Sequence, residues 1–251
     1  MTALTQQVAP GVHRVADGIV NWYLLEDETG ITLVDTGWPR SWGKLQRAVT
    51  ELGRSFDEVR AVLLTHGHAD HLGAAEKSRR AGVPVWAHPN EVGRVQGKAK
   101  GSSSFALVPH LLPHLWKPKA LGFVLHASAH GFMTPRWVKE VRPLEDSAVS
   151  ALPGKPRPLP TPGHTEGHAS YYLPDAGVLL GGDALVTLDV LTRERGPRLL
   201  PKPVNVDHAQ ALASLSVLEP IAGETLLPGH GEPWQGTMPE AVAQARAAAL
   251  R

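Results

Sequence analysis

Residues 65–71, with the sequence THGHADH, place three imidazoles and one carboxylate within six positions. They follow the short apolar run at residues 61–64, which is typical of a buried strand. Imidazole and carboxylate groups bind transition metals in proteins, and this chain has no cysteine that could supply a thiolate instead. The segment therefore predicts a metal site at the end of a strand.

The spacing divides these side chains into two groups. In an extended chain, residues i and i+2 point to the same side, so His66 and His68 can bind one ion together. Asp70 and His71 come where the chain bends toward the helix-like residues 72–77, so they must point elsewhere. They are candidates to bind a second ion beside the first.

Further candidate ligands stand beside glycines at the ends of later predicted strands. Glycine permits positive φ and a close approach of neighbouring loops, which a site assembled from several strand ends requires. Each candidate taken alone would be an ordinary loop histidine or turn aspartate. The candidates are His164, Asp183 and His230.

Three other residues are candidates for orienting the ligands. Asp35, in a turn before Gly37, is predicted to accept hydrogen bonds near the ligand loops, although a plain turn aspartate is an open alternative. Thr65 and His168 are predicted to act in the same supporting way. None of the three is predicted to bind metal.

With these residues in place, the sequence resembles the metallo-β-lactamase superfamily, and in particular dinuclear hydrolases such as glyoxalase II and the lactone hydrolases. The resemblance extends from the strand and turn at residues 33–37 to His230. It implies that one ion is held by His66, His68 and His164, and the other by Asp70, His71 and His230. It also implies that Asp183 bridges the two ions.

The ligand types predict the chemistry. Imidazole and carboxylate without thiolate suit Zn²⁺, and they also suit Fe or Mn. Two such divalent ions lower the pKa of a bridging water to about 7, so that a hydroxide can attack an ester, thioester or lactone carbonyl at neutral pH. Asp70 is the predicted catalytic residue, because it could accept the proton of that hydroxide in addition to binding its metal.

Other functions stay open at this point. A metal-dependent phosphodiesterase would use the same two ions. A mononuclear iron enzyme similar to the persulfide dioxygenases would use the same scaffold with one ion. A non-enzymatic binding protein is the least favoured interpretation, because a complete ligand set is hard to explain without metal chemistry.

Composition limits the partners. A chain of 251 residues with 42% apolar residues can bury one substantial core, so residues 1–251 are predicted to form a single domain. The net charge of +1 argues against a protein that coats nucleic acid. No run approaches the roughly 18 apolar residues of a membrane span, and residues 1–11 do not resemble a secretory signal. We therefore expect a cytoplasmic enzyme for a small substrate with an apolar portion, of unspecified oligomeric state.

Strand and helix signals alternate along the chain. Predicted strands cover residues 12–15, 21–25, 31–34, 61–64, 83–87, 170–173, 178–180 and 225–227, and predicted helices cover residues 41–52, 207–218 and the C-terminus from Pro239. Asp207 is the predicted N-cap of its helix. Two similar halves of this kind predict an α/β (α+β) protein with a four-layer αββα sandwich, as the resemblance also implies.

Residues 93–142, called the insertion below, interrupt this alternation. The apolar run at residues 105–116 contains Pro109 and Pro113, which predicts short helical pieces that pack Leu111, Leu112, Leu115 and Trp116 against an apolar surface. The insertion is interpreted either as a lid with an apolar wall and a basic rim or as an arm for assembly. Its histidines are not predicted to be ligands; they are His110, His114, His126 and His130.

Overall fold

A first sheet begins near the N-terminus and contains the strand that precedes the histidine motif. In the computed structural model of the chain, residues 3–250 are described, except for the side chains of residues 104 and 105. The strands of this sheet are β1 (Thr5–Ala9), β2 (Val12–Asp17), β3 (Val20–Asp27), β4 (Gly30–Val34), β5 (Val59–Leu63), β6 (Val85–Ala87) and β7 (Arg142–Pro143). They lie in sequence order, antiparallel up to β4 and parallel from β4 onward.

A second sheet forms from the later part of the chain. The strands there are β8 (Arg157–Pro160), β9 (Ala169–Leu173), β10 (Val178–Gly182), β11 (Val186–Leu188), β12 (Arg195–Arg198), β13 (Thr225–Pro228) and β14 (Trp234–Gln235). The order in the sheet is β14-β13-β10-β9-β8, while β11 and β12 pair separately. Because β10 and β13 are parallel, their carboxyl ends lie at the same edge.

The helices flank these sheets and supply the insertion. The α-helices are α1 (Trp42–Glu51), α2 (Ala75–Arg80), α3 (Val92–Val95), α4 (Val108–Leu111), α5 (Pro118–Ala129), α6 (Asp146–Val149), α7 (His208–Leu218) and α8 (Met238–Ala249). Short 3₁₀ helices cover Phe56–Glu58, Pro89–Glu91, Ser104–Leu107, Leu112–His114 and Lys202–Val204. Asp207 caps α7 by accepting a hydrogen bond from the backbone N–H of Gln210, as predicted.

Alternating side chains divide the core into layers. In β3, Tyr23 and Leu25 face a cluster that also contains Tyr171 and Leu180 of the second sheet, so the two sheets pack face to face. The opposite face of the first sheet packs against α1 and α2, and that of the second sheet packs against α7 and α8. The predicted four-layer αββα sandwich is confirmed.

The segment around the histidine motif differs in detail from the prediction. The strand runs from Val59 to Leu63 and α2 begins only at Ala75, so residues 64–74 form a loop. Gly73 prevents an earlier helix start, because its backbone lies against that of Trp38 and its N–H donates to the carbonyl of Gly37. The predicted ligands therefore lie on a loop whose two ends are held by buried elements.

The insertion consists of short helical pieces, as the two prolines predicted. Leu111 is buried and Leu115 is half-buried, but Leu112 and Trp116 are 57% and 78% exposed, so the prediction of four packed side chains is wrong for these two. The physical reason is helical geometry, which turns only one side of each short piece toward α5. Phe105 begins the predicted run, and its side chain lies outside the described part.

Over residues 3–250, no helix combines the length and the apolar character that crossing a membrane requires.

The loop that carries His164 is packed against α7 through a glycine. Gly163 has a φ of +131°, and a Cβ there would overlap the backbone nitrogen and Cα of Ala211. Gly177 has a φ of +62° with open space around it, so Gly177→Ala is a matched control. We expect Gly177→Ala to lower the free energy of unfolding by about 1–2 kcal/mol through backbone strain alone. Gly163→Ala should lower it by at least ~2 kcal/mol more, because a φ of +131° is less accessible to alanine than one of +62° and because a packed interface must also move.

Urea denaturation of both variants measures this difference. Equal losses for the two variants would show that α7 can shift without cost, contrary to the close contact between Gly163 and Ala211.

Candidate metal centre

The predicted ligands converge at one edge of the two sheets. The histidine motif follows β5, His164 follows β8, Asp183 follows β10 and His230 follows β13. All of them are buried except His68, which is half-buried. Atoms of these side chains that could bind metal form three overlapping sets, and within each set every atom lies within 4.8 Å of the others. Two of the sets share no residue and are called the first group (His66, His68 and His164) and the second group (Asp70, His71 and His230). The remaining set, His66, His71 and Asp183, overlaps both.

The first group contains three imidazole nitrogens that face one point. His66 Nε2 lies 3.0 Å from His68 Nδ1 and 3.2 Å from His164 Nε2, and the latter two atoms are 2.9 Å apart. Bonds of 2.0–2.1 Å around a tetrahedral ion separate neighbouring nitrogens by about 3.3 Å. The spacing of these three atoms is close to that value.

The second group lies beside the first and is partly acidic. Asp70 Oδ2 is 3.8 Å from His71 Nε2 and 3.6 Å from His230 Nε2. All three side chains are buried, and Asp70 is only 5% exposed. The group thus combines two imidazoles with one carboxylate.

Asp183 lies between the two groups. Its Oδ2 atom is 3.4 Å from His164 Nε2 in the first group and 3.3 Å from His230 Nε2 in the second. Its Oδ1 atom is 3.5 Å from His71 Nε2. One carboxylate therefore contacts ligand atoms of both groups.

Hydrogen bonds on the far side of three rings orient His66, His164 and His230. His66 Nδ1 is 3.0 Å from Thr65 Oγ1, and His230 Nδ1 is 2.6 Å from the carbonyl of Ile19. His164 Nδ1 is 2.9 Å from Asn205 Oδ1, whose amide group is itself held by a bond to the carbonyl of Leu200. These acceptors place the proton on Nδ1, so Nε2 presents a lone pair toward the shared point.

This arrangement fits bound cations. The Nε2 atoms of His66 and His164 face each other as lone pairs across 3.2 Å, which is unfavourable without a positive ion between them. In addition, His71 Nε2 and Asp183 Oδ1 are buried without a hydrogen-bond partner. Buried polar atoms without partners are costly, and a metal ion would satisfy both.

Asp35 orients His71 of the second group through the ring nitrogen that faces away from the other candidate ligands. Its Oδ1 atom accepts from the backbone N–H of Thr65, and its Oδ2 atom accepts from Thr65 Oγ1 and from His71 Nδ1, each at 2.8 Å. The residue adopts a φ of +61°, which is rare for aspartate. The supporting role predicted for Asp35 is confirmed, and the alternative of a plain turn aspartate is wrong.

His168 orients Asp183 rather than facing the shared point. Its Nε2 atom accepts from the backbone N–H of Asp183 at 2.9 Å, and its Nδ1 atom is 2.8 Å from Thr161 Oγ1. Burial lowers the pKa of His168 to about 3, so the ring stays neutral and keeps its acceptor. The prediction that His168 is a supporting residue is confirmed.

The electrostatics of the two groups differ. Burial, followed by the neighbouring His71 and His164, lowers the pKa of His66 well below its usual value. Burial also disfavours the charged form of His71, but the carboxylates of Asp183, Asp35 and Asp70 outweigh it and raise the pKa of His71 to about 10. The first group is therefore neutral, while the second is an acidic environment that favours positive charge.

Glu91 is a residue of the candidate site that the sequence did not predict. It is fully buried, and its two carboxylate oxygens accept from the backbone N–H groups of Gly67 and Gly167, each at 2.9 Å. It thereby joins the loop of His66 and His68 to the loop of His164. No local pattern marks this role, because Glu91 lies in a short 3₁₀ helix distant from both loops in sequence.

A cleft of about 420 Å³ opens beside His68. Its wall includes Leu107 and His110 from the insertion and Val204 from the segment before α7. Lys100 and Lys202 lie on the same wall, together with Arg94, which donates to Glu166 at 2.6 Å. The cleft therefore has both apolar and positively charged parts.

Comparison with known proteins identifies the family to which this chain belongs. A sequence model of the metallo-β-lactamase superfamily matches residues 15–230. The match covers most of the chain, together with all seven predicted ligands, so the chain belongs to this superfamily.

Individual relatives agree with this assignment. The "Probable metallo-hydrolase YflN" of Bacillus subtilis (strain 168) is 33% identical over 249 residues, which cover 92% of this chain and 87% of that protein. The metallo-beta-lactamase family protein TTHA1429 from Thermus thermophilus superposes with a TM-score of 0.68 at 27% identity, covering 97% of this chain and 81% of that one. TTHA1623 in a di-iron-bound form superposes with a TM-score of 0.59 at 28% identity, covering 88% and 92%.

The role of Glu91 can be tested by an isosteric change. In Glu91→Gln, one of the two backbone N–H groups faces an amide donor instead of an oxygen acceptor. We expect the free energy of unfolding to fall by about 1–3 kcal/mol and the affinity for metal to fall by about 10–100-fold. Thermal unfolding and competition with a chromogenic chelator measure the two effects.

The control is Glu140→Gln, because the side chain of Glu140 is 83% exposed and is paired with Arg79. The control variant should lower the free energy of unfolding and the affinity for metal much less than Glu91→Gln does. If the two variants behaved alike, Glu91 would not join the ligand loops in the way described.

Proposed function

We propose that this protein is a dinuclear metal-dependent hydrolase that attacks the carbonyl of an ester, thioester or lactone. The observation that carries the proposal is the position of Asp183, whose carboxylate contacts both an imidazole triad and an Asp-His-His triad. A single carboxylate between two ligand groups is suited to bridging two ions.

In this proposal each group holds one ion. His66, His68 and His164 hold the first, and Asp70, His71 and His230 hold the second. Asp183 is the ligand that both ions share. The orphaned Nε2 atom of His71 and Oδ1 atom of Asp183 support this assignment, because both would gain a partner.

Two divalent ions bound here would polarise the substrate carbonyl and supply a hydroxide at neutral pH. Residues of the protein would accept the proton and guide the substrate. Asp70 would hold the second ion together with His71 and His230, and its carboxylate could accept the proton of the attacking water. His68 borders the cleft, so the substrate reaches the ions along the wall formed by Leu107 and Val204.

For the metal we propose Zn²⁺, which imidazole and carboxylate ligands suit. The same donor set also suits Fe and Mn, and the relative TTHA1623 has been solved in a di-iron-bound form. Metal analysis of protein purified without added metal distinguishes these cases.

The second candidate function is a phosphodiesterase. Lys100 and Lys202 on the wall of the cleft favour it, because lysines are suited to binding a phosphate group. A mononuclear iron dioxygenase would bind only one ion, so the group of Asp70, His71 and His230 would bind none. Oxygen consumption during turnover would identify that alternative.

The bridging role of Asp183 predicts the metal content. The wild-type protein should contain about two metal ions per chain. Asp183→Ala and the isosteric Asp183→Asn should both lower this content and reduce kcat by at least about 100-fold, because a ligand to both ions is lost. Asp175→Ala, at an exposed residue, is the control and should leave both quantities unchanged.

Plasma-emission spectrometry and steady-state kinetics measure these quantities. One ion per chain in the wild-type protein, with full activity, would contradict the dinuclear site.

The substrate class can be tested with chromogenic esters, thioesters, lactones and phosphodiesters. Carbonyl substrates should be hydrolysed faster than bis(p-nitrophenyl) phosphate. Leu107→Ala should raise KM for a long-chain ester by about 3–10-fold, since an apolar contact of the acyl chain is lost. The same variant should leave an acetyl ester nearly unchanged.

Leu112→Ala is the matched control for Leu107→Ala, because Leu112 is exposed and does not line the cleft. A preference for the phosphodiester would favour the second candidate function. Equal effects of the two leucine variants would argue against the cleft as the binding site of the acyl chain.

A further inference from the structure

Helix α5 of the insertion is apolar on both its buried and its exposed side. Ala120, Phe123 and Ala127 are buried and face the body of the protein. Leu121 and Leu125, one helical turn apart on the other side, are 42% and 61% exposed. A helix that is apolar all round is normally covered on both sides.

Two more apolar side chains of the insertion are exposed. Leu112 is 57% and Trp116 is 78% exposed, and together with Leu121 and Leu125 they are called the apolar patch. These four are the majority of the seven large apolar side chains that are exposed among the described residues. Lys117 lies beside the patch, with its Nζ atom 5.5 Å from the centre of a Trp116 ring. Four exposed large apolar side chains within the 14 residues 112–125 indicate an interaction surface on this segment.

The charge of this segment indicates the partner. Residues 92–139 contain no Asp or Glu. Arg94 of this segment is buried and paired with Glu166, but six other cations are exposed: Lys98, Lys100, Lys117, Lys119, Arg136 and Lys139. The whole chain has 25 Lys and Arg against 24 Asp and Glu, so the remainder is net negative. Such asymmetry favours an anionic partner on the insertion side.

We propose that the apolar patch docks on the surface of a lipid bilayer that contains anionic lipids. Leucine side chains enter the boundary between headgroups and acyl chains, tryptophan favours this interface, and nearby lysines are attracted by anionic headgroups. The patch, with Lys117 beside Trp116 and further exposed cations in the same segment, combines all three features. The protein would lie on the membrane without crossing it.

A second copy of this chain is the less favoured occupant. A symmetric dimer through the insertion would bring two segments together that carry cations and no acidic residue, and like charges oppose such contacts. An anionic lipid surface removes this repulsion and attracts the same cations.

Docking of the apolar patch would also fix the position of the cleft relative to the bilayer. Leu107 and His110 line the cleft, and Leu111, a few residues further on, is buried with Phe123 of α5. One continuous insertion therefore carries both the cleft wall and the apolar patch. The docking proposal itself does not depend on the hydrolase chemistry, because it concerns residues that bind no metal.

Vesicle flotation with the full chain tests the proposal. The wild-type protein should float with vesicles of phosphatidylcholine and phosphatidylglycerol, and much less with phosphatidylcholine alone or at high salt. Leu121→Ser/Leu125→Ser should weaken binding at least about tenfold, because two apolar contacts are lost. Val217→Ser/Leu250→Ser, which changes exposed apolar side chains elsewhere, is the matched control and should bind as the wild type does.

Fluorescence gives a second readout that needs no activity. Adding anionic vesicles should shift tryptophan emission to shorter wavelength in the wild-type protein and much less in Trp116→Phe. Absence of flotation by the wild-type protein would overturn the proposal. So would a dimer in light scattering that Leu121→Ser/Leu125→Ser converts to monomer while vesicle binding stays absent, since a second copy would then be the occupant.

Discussion

Burial of many side chains that could bind metal around one point is the constraint on which the rest of the structure depends. Imidazole lone pairs that face each other and carboxylates without partners are unfavourable in a core, so their geometry must be imposed from outside. The two packed sheets impose it by delivering several strand ends to one edge. Asp35 then holds Thr65 and His71 of the loop at residues 64–74, and Glu91 joins this loop to the loop of His164.

The insertion adds a second layer of organisation to this scaffold. Its inner side packs against Val186, Val190 and Leu200, and its residues Leu107 and His110 extend to the cleft. Its outer side leaves the apolar patch uncovered. Hydrolysis would therefore take place at the candidate metal centre, while the insertion would select the substrate. This division is common where loops on a rigid scaffold determine specificity.

The residues that orient the candidate ligands differ in how readily they can be predicted from the sequence. Asp35 could be proposed because it lies in a turn before Gly37, and His168 because it lies in the same glycine-flanked motif as His164. Glu91 could not, since its two partners are the backbone N–H groups of loops 24 and 76 residues away. Leu112 and Trp116 were predicted to pack because they belong to an apolar run, yet the run is divided into short helical turns that bury only one side.

The sequence alone determined the αββα architecture and the set of candidate ligands, because alternating apolar residues and closely spaced histidines are local patterns with a direct physical meaning. Only the tertiary structure decided which ring nitrogen of each histidine faces the shared point and that Asp183 contacts both groups. It also decided which apolar residues of the insertion are buried. These properties depend on contacts between segments distant in sequence, such as His164 with Asn205 and His230 with Ile19, and no local pattern encodes them.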